Sequence, residues 1–296
     1  MGVFQDLSAE LANRTAQAAA VVVSVQSGQR PRSGILWRPD VVVVSEQVLP
    51  EPVSTLSVVH GGIRVGATLA GRDPGTNVAV LKLETPVGGA SLQIESEPAR
   101  VGSVVLVVGA DGSGRATARL AMVHEVGGTW HSMAGGRIDA LIRLDVRLSA
   151  DEGGPVFSST GGLVGMSTAG PRRRTIVIPA ATLERVVDPL LTDGRIARGW
   201  LGVGLQPVMI PDGFRQTTGR ETALMVVSLA DGSPAVSAGI LPGDILLDID
   251  GVAVSRARSL AAALGPDRVG QPVAVRLLRA GAVQTISLTV AARPAP

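Results

Sequence analysis

Short runs of branched apolar residues, cut every few positions by glycine, proline or aspartate, constrain this chain more than any other feature. They fall at Val21–Val25, Gly34–Trp37, Val41–Val44, Ile63–Leu69, Val78–Leu83, Val104–Val108, Ala116–Val126, Ile138–Leu144, Leu163–Ser167 and Thr175–Ile178. β-Branched side chains pack well on a pleated surface and lose little by being stiff there. Many short strands with turns at this spacing predict a barrel or sandwich. Aromatic residues make up only 2% of the chain and tyrosine is absent, so Val, Leu, Ile and Ala must build the core. Ahead of the strands, Phe4, Leu7 and Leu11 recur at helical spacing, which predicts a short helix over Phe4–Gln17. A second helix over Thr182–Leu191 should end at Asp193-Gly194 and close this unit.

A different pattern follows from about Gly199. Strands are expected at Leu201–Leu205, Ala223–Ser228, Ile245–Ile249, Val273–Arg279 and Thr285–Val290, with helices at Pro234–Ala238 and Arg256–Leu264. This describes a small α+β module. A length of 296 residues suits two domains. We place them at residues 1–195 and 199–293, mainly β overall.

Composition excludes several function classes. The net charge is +2 although the pI is near 10.2. With no Cys or Tyr to titrate, a small excess of arginine holds the charge positive, and no nucleic-acid partner follows from it. The absence of cysteine removes disulfides and thiolate metal sites. No pair of histidines has metal-ligand spacing, so no metal or cofactor is expected. The apolar run Ala18–Val23 is too short to span a membrane or to serve as a signal-peptide core. As written, the chain predicts a cytoplasmic protein without a membrane partner, or a periplasmic one if a targeting segment is missing.

The second unit carries Arg198-Gly-Trp-Leu-Gly-Val203, Gly232-Ser-Pro-Ala235, Ala238-Gly239, Leu241-Pro-Gly-Asp-Ile-Leu246 and Ile249-Asp-Gly251. Over nearly its whole length it resembles a PDZ domain of the HtrA type. The resemblance implies that Trp200, Leu201, Gly202 and Val203 form a loop that captures a peptide's terminal carboxylate. It also implies that Leu260 and Leu264 line the side-chain pocket. The physics agrees: a nest of backbone N–H groups binds a carboxylate, and a strand edge beside a helix accepts one more strand.

The first unit carries four segments in order: Ser33–Asp40 with Val41–Val44, Asp73-Pro-Gly-Thr-Asn-Val-Ala-Val-Leu-Lys82, Glu152-Gly-Gly-Pro155, and Leu163-Val-Gly-Met-Ser-Thr-Ala169. Together they resemble the trypsin-like double β-barrel of the HtrA (Deg) serine proteases. In that family these segments hold the catalytic histidine, aspartate and serine. Here the corresponding positions read Gln47, Asn77 and Glu152. A serine protease needs a hydroxyl nucleophile, an imidazole to take its proton and a carboxylate to orient the imidazole. An amide does not accept a proton usefully near neutral pH. The aspartate-to-asparagine change alone costs such enzymes about 10⁴ in kcat. A carboxylate is a poor nucleophile towards an amide. The stretch Asp145–Glu152 is also one residue shorter than the resemblance leads one to expect, which puts the oxyanion loop in question.

The resemblance therefore implies a degenerate member, a pseudoprotease with no catalytic residue expected. Such a protein would bind peptides, protein C-termini or unfolded proteins, as scaffold, holdase or regulator in bacterial protein quality control. An active endopeptidase built on Gln47 and Glu152 is the alternative; glutamic peptidases share those residue types but not this fold. A third reading is a structural protein in which neither cleft binds anything. His60 before Gly61-Gly62, His124 in a strand and His131 in a glycine-rich loop read as structural or surface residues. Ser149 reads as a loop serine and Gly112-Ser-Gly-Arg115 as a turn. Arg172-Arg-Arg174 falls, by resemblance, beside the former specificity pocket and would favour acidic ligands there. HtrA proteins assemble through aromatic residues near the N-terminus. Phe4 is the candidate for a homotrimer or for hetero-assembly with an active HtrA.

Overall fold

The valine runs form strands whose alternate side chains feed different cores. In the computed structural model, which describes all residues except 1, 29, 54, 89–90, 149–152, 171–173 and 295–296, the chain divides into two units, 1–196 and 197–296. Helix α1 (Val3–Ala18) leads into β1 (Val22–Gln26), β2 (Pro31–Arg38), β3 (Val41–Ser45), β4 (Leu56–His60), β5 (Ile63–Asp73) and β6 (Val78–Leu83). These six close into an antiparallel barrel in the order β1-β2-β3-β6-β5-β4. Next come β7 (Val104–Ala110), β8 (Ala116–Gly127), the small hairpin β9 (Trp130–His131) and β10 (Arg137–Ile138), then β11 (Leu141–Leu144), β12 (Pro155–Ser158), β13 (Leu163–Ala169) and β14 (Thr175–Pro179). Apart from the hairpin, they close a second barrel in the order β11-β14-β13-β12-β7-β8. Helix α2 (Ala180–Asp193) then packs back on this unit, capped by Gly194 in the left-handed conformation.

Strand β3 explains why its sequence is valine throughout. Val42 and Val44 point into the first barrel, while Val41 and Val43 point into a shared core with Leu183, Val186 and Leu190 of α2. Strand β7 does the same for the second barrel: Val105 and Val107 face its interior, and Leu106 and Val108 face the shared core. A strand buried on both faces has no polar alternation left. Each such side chain contributes on the order of 1.5–3 kcal/mol by burial.

The second unit contains β15 (Gly199–Trp200), β16 (Val203–Met209), α3 (Asp212–Thr218), β17 (Thr222–Leu229), α4 (Pro234–Ser237), β18 (Ile245–Ile249), β19 (Val252–Ala253), α5 (Ala257–Ala263), β20 (Pro272–Arg279), β21 (Ala282–Thr289) and β22 (Ala291–Ala292). Its main sheet runs β16-β17-β18-β20-β21, so β16 is an outer strand. Leu201, Leu224, Val226, Leu246, Leu264, Val275 and Leu277 belong to the core beneath it.

The expected helices and most strands are present, with informative differences. Strand β4 reads Leu-Ser-Val-Val-His and β12 opens on a proline, so neither stood out as an apolar run. Ile138–Leu144 splits into β10 and β11, and His131 sits in a short strand rather than an open loop. Strand β16 begins at Val203 instead of Leu201, because Leu201 and Gly202 lie in the irregular connection from β15, with Gly202 at φ +78°. Helix α3 was not anticipated: it is polar, and of its residues only Thr218 is fully buried.

Candidate functional site

Two sites need building, one in each unit. In the first, Glu46–Val48 makes a single 3-10 turn directly after β3, and this turn carries Gln47. Buried Glu46 anchors it by accepting both Arg72 Nε (2.8 Å) and Arg72 Nη2. On the facing loop, Asp73 shapes the approach to Asn77. Its carboxylate accepts the Gly75 N–H at 3.2 Å, the Thr76 N–H at 3.0 Å and the Thr76 hydroxyl at 2.7 Å. The turn delivers Asn77 with φ at +57°, a left-handed conformation that asparagine tolerates better than most residues.

Gln47 and Asn77 meet on β13. The Gln47 N–H donates to Asn77 Oδ1 at 2.9 Å. The Gln47 side-chain amide donates to Thr168 Oγ1 at 2.9 Å and to the Ala169 carbonyl at 3.1 Å. A carbonyl can only accept, so this contact fixes which end of the amide faces β13. Asn77 Nδ2 also donates to Thr168 Oγ1, at 2.6 Å. The Ser45 hydroxyl completes the ring, donating to Asn77 Oδ1 at 3.2 Å and lying 3.3 Å from Thr168 Oγ1. Among the described residues, the side chains of this network (Ser45, Gln47, Asn77 and Thr168) are all neutral. The sequence had singled out Gln47 and Asn77 but not Ser45 or Thr168. The available signal was polar residues inside otherwise apolar, fully buried strands.

The third expected position, Glu152, lies outside the described residues, as do Ser149, Arg172 and Arg173. Its neighbour Gly153 is placed: its N–H donates to the Ser167 carbonyl at 2.8 Å and its φ is +91°. A Cβ there would meet the Ser33 carbonyl oxygen at 2.3 Å and the Ser45 nitrogen at 3.4 Å. Ser167 returns a 2.9 Å N–H bond to the Gly154 carbonyl. The Gly153-Gly154 backbone is thus pinned beside Ser45, at the edge of the Gln47–Asn77–Thr168 network.

The histidines occupy other places. His60 ends β4, with Nδ1 3.1 Å from the Val22 carbonyl, before a turn in which Gly61 and Gly62 both have positive φ. His124 is exposed on β8. His131 belongs to the β9–β10 hairpin, whose Gly136 lies against Gly75 on the loop leading to Asn77. Gly112–Arg115 is a turn, held by Asp111 Oδ1 accepting the N–H groups of Ser113 and Arg115 at 2.8 and 3.0 Å. Among the described residues no group of three or more His, Cys, Asp or Glu could hold a metal ion. No helix among them is long and apolar enough to cross a membrane.

In the second unit the loop Trp200–Val203 connects β15 to β16. Its carbonyls are tied inward: Leu201 C=O accepts the Ala235 N–H at 3.0 Å, and Gly202 C=O accepts the Ala230 N–H at 2.8 Å. In a trans peptide the C=O and the following N–H point in opposite directions. The N–H groups of Gly202 and Val203 are therefore turned outward together, as a carboxylate site requires. Gly202 has φ +78°, and a Cβ there would come within 2.1 Å of Ser233 Cβ. Glycine is required both for the backbone angle and for the space. Leu201 and Leu264 are buried in the core, whereas Leu260 is only partly buried and packs on the same cluster as Val203 and Leu205. The Gly199 N–H donates to the Leu264 carbonyl at 3.0 Å, joining the loop to the end of α5.

Comparison with known proteins agrees with both units. Residues 32–166 match the trypsin-like peptidase domain and residues 200–290 match the PDZ domain. Probable periplasmic serine endoproteases of the DegP-like type are similar in sequence. Those from Brucella suis and Rhizobium meliloti are each 30% identical, over 262 and 261 residues. Both alignments cover 86% of this chain, and 50% and 51% of the relatives, so the chain spans about half their length. Among solved structures, the HtrA-type protease AlgW with a decapeptide superposes with a TM-score of 0.75 at 22% identity, covering 97% of this chain and 99% of that one. The serine endoprotease from Yersinia pestis superposes with a TM-score of 0.72 at 22% identity, covering 96% and 98%. Two closed barrels followed by a PDZ module, with both domain matches in that order, make this chain a member of the HtrA/Deg family of trypsin-like peptidases with a C-terminal PDZ domain.

Proposed function

We propose that this protein is a peptide-binding HtrA family member without proteolytic activity. It would hold protein C-termini or unfolded segments in its PDZ groove as a scaffold, holdase or regulatory partner. The observation that carries the proposal is the Gln47 amide: it donates to β13, at Thr168 and Ala169, where the triad's proton-accepting imidazole would be needed, and its described side-chain neighbours Ser45, Asn77 and Thr168 are neutral. The family's mechanism needs at this place a base that takes a proton from the nucleophile and a carboxylate that stabilises the resulting cation. An amide and an asparagine supply neither. Loss of the working catalytic unit costs on the order of 10⁶ in kcat.

The reading of Gln47, Asn77 and Glu152 as the former triad rests on the family match and on the convergence of the first two with Gly153 at one cleft. Peptide capture is supported by the outward N–H groups of Gly202 and Val203 and by the outer position of β16. By analogy with relatives named periplasmic, the periplasm is the proposed place of work. Phe4, 83% exposed on α1, is the proposed contact for self-association or for assembly with an active HtrA.

The test has two arms. Wild type, Gln47→Ala and Glu152→Ala are incubated with a quenched unfolded protein. The expected result is no cleavage above buffer in any of the three. Cleavage lost in both variants would establish the Gln47–Glu152 endopeptidase instead. In the second arm, peptides with free and amidated C-termini are compared by fluorescence anisotropy, and only the free acids should bind. Equal binding of both forms would rule out carboxylate capture.

A further inference from the structure

We infer that Pro207 limits the reach of the PDZ groove: it withholds the N–H that a ligand strand would use beside it on β16, so residues of a C-terminus beyond the fourth from the end add little affinity. The inference rests on the peptide-binding reading above and adds to it the length of ligand that the site recognises.

Among the described residues strand β16 is paired only with β17, in antiparallel register from Val203↔Leu229 to Met209↔Thr222. Opposite Leu205 stands Val226, and Val226 uses both backbone groups on its other side. Its N–H donates to the Asp244 carbonyl at 2.8 Å and its carbonyl accepts the Gly243 N–H at 2.8 Å. The Leu205–Val226 pair is therefore of the non-hydrogen-bonded type, and the backbone of Leu205 turns away from β17 to the open edge. Along a strand that orientation repeats at every second residue. Val203, Leu205, Pro207 and Met209 present their backbone to the edge, while Gly204, Gln206 and Val208 face β17. The bulge between Gly204 and Leu205 leaves Val227 as the extra residue on β17, so the count along β16 is unbroken.

A peptide whose carboxylate sits on the N–H groups of Gly202 and Val203 must run antiparallel to β16. Its last residue then lies beside Val203, its third from the end beside Leu205, and its fifth from the end beside Pro207. In this geometry each edge-facing residue of β16 exchanges an N–H and a C=O with one ligand residue. Leu205 has both groups to offer. Pro207 has no N–H, its ring stands where the donor would be, and only its carbonyl is left to accept from the ligand. Proline is tolerated in a sheet at such a position, on an outer strand with its nitrogen facing away from the ladder. The same ring opposes full-length addition of a foreign strand, so β16 admits a short terminus at one end and resists edge-to-edge pairing along the rest.

The experiment measures affinity against ligand length. The probe is the tightest heptapeptide selected on the wild-type protein from a free-carboxylate library, cut back from its N-terminus to six, five, four and three residues. For wild type, affinity should rise from three to four residues and then change less than about twofold up to seven. Pro207→Ala restores one N–H on an exposed edge. It should bind the peptides of five or more residues about 2- to 10-fold more tightly, the worth of one hydrogen bond, with the tetrapeptide unchanged. A wild-type affinity that climbs tenfold or more between four and seven residues overturns the inference while leaving carboxylate capture standing. So does a variant whose length profile matches that of wild type. If no free-carboxylate peptide binds, the peptide-binding reading fails and takes the inference with it. Should Pro207→Ala fail to fold, Pro207→Val, which restores the same N–H in a residue of high strand preference, takes its place with the same expected outcomes.

Discussion

The two clefts of this chain differ in what has become of their polar groups. In the barrel unit, the amides of Gln47 and Asn77 and the hydroxyls of Ser45 and Thr168 bond to one another. In the PDZ unit, the loop ties its carbonyls inward and turns its N–H groups out, beside an outer strand whose edge-facing backbone is unpaired within the sheet. Buried polar groups without partners cost about 1–3 kcal/mol each, so a cleft that no longer performs chemistry is stabilised by pairing them internally. A groove that still binds leaves donors at solvent, where water satisfies them until a ligand arrives. Under the proposed function, this is the contrast between a retired site and a working one, read from hydrogen bonds alone.

Four changes would break or sharpen that contrast. The largest effect is expected at Asp244, 2% exposed, which accepts Arg279 Nε at 2.7 Å and Nη2 at 2.6 Å and the Leu241 N–H at 2.8 Å. Burial alone would raise its pKa, but the Arg279 hydrogen bonds and charge outweigh it and hold the carboxyl below its ordinary value. Asp244→Ala should destabilise the PDZ unit by about 3–5 kcal/mol, since it strands the guanidinium. Chemical denaturation followed by Trp200 fluorescence reads this, and an unchanged midpoint would show the clamp to be dispensable. Second, Gly202→Ala introduces the clash with Ser233 and a strained φ at the carboxylate loop. Left-handed strain alone is worth roughly 1–2 kcal/mol, so affinity for a free-acid peptide should fall tenfold or more. Retained affinity would move the carboxylate site elsewhere.

Third, Thr168→Val removes the oxygen that accepts from both Gln47 and Asn77. A stability loss of about 1–3 kcal/mol is expected, with peptide binding unchanged. A neutral result would mean that the cleft's internal pairing does not stabilise the barrel. The smallest effect concerns Glu95, whose carboxyl is held at about 2, first by the Ser158 hydroxyl and then by that of Thr160. A depressed folded pKa contributes stability that is complete above the unfolded value and is lost as pH falls through the folded one. The contribution should therefore fade from about pH 4.5 down to about pH 2. Glu95→Gln should flatten the pH dependence of Tm over the accessible upper part of that window, and an unaltered slope would count against the hydrogen bonds.

Much of the fold was legible because it rests on local rules. Unbroken valine-rich runs, glycine and aspartate turns, and a helix closed by Asp193-Gly194 predicted both units and most elements. Among the strands that escaped, β4 and β12 are short and begin or alternate with residues of weak strand preference, and β9, β15, β19 and β22 are only two residues long. Helix α3 is polar enough to look like a loop. At the barrel site, Gln47 and Asn77 were found through the resemblance and do converge. Ser45 and Thr168 were missed because a hydroxyl inside a buried strand has no distinctive spacing. Leu201 and Leu264, expected at the groove, are buried with the core residues of the unit, and no count along the chain distinguishes core from pocket lining.

The sequence alone determined the chemistry that this protein can and cannot offer at its barrel cleft. Residue identity decides whether a side chain takes a proton, and Gln47 and Asn77 do not. Only the tertiary structure decided which way those amides point, which carbonyls of the Trp200–Val203 loop are occupied, and which alternate residues of β16 face the open edge. These are properties of pairing across distant segments: Val226 with Asp244, Gln47 with Thr168, Gly202 with Ala230. Hydrogen-bond direction is set by the partner, and the partner is chosen by the fold.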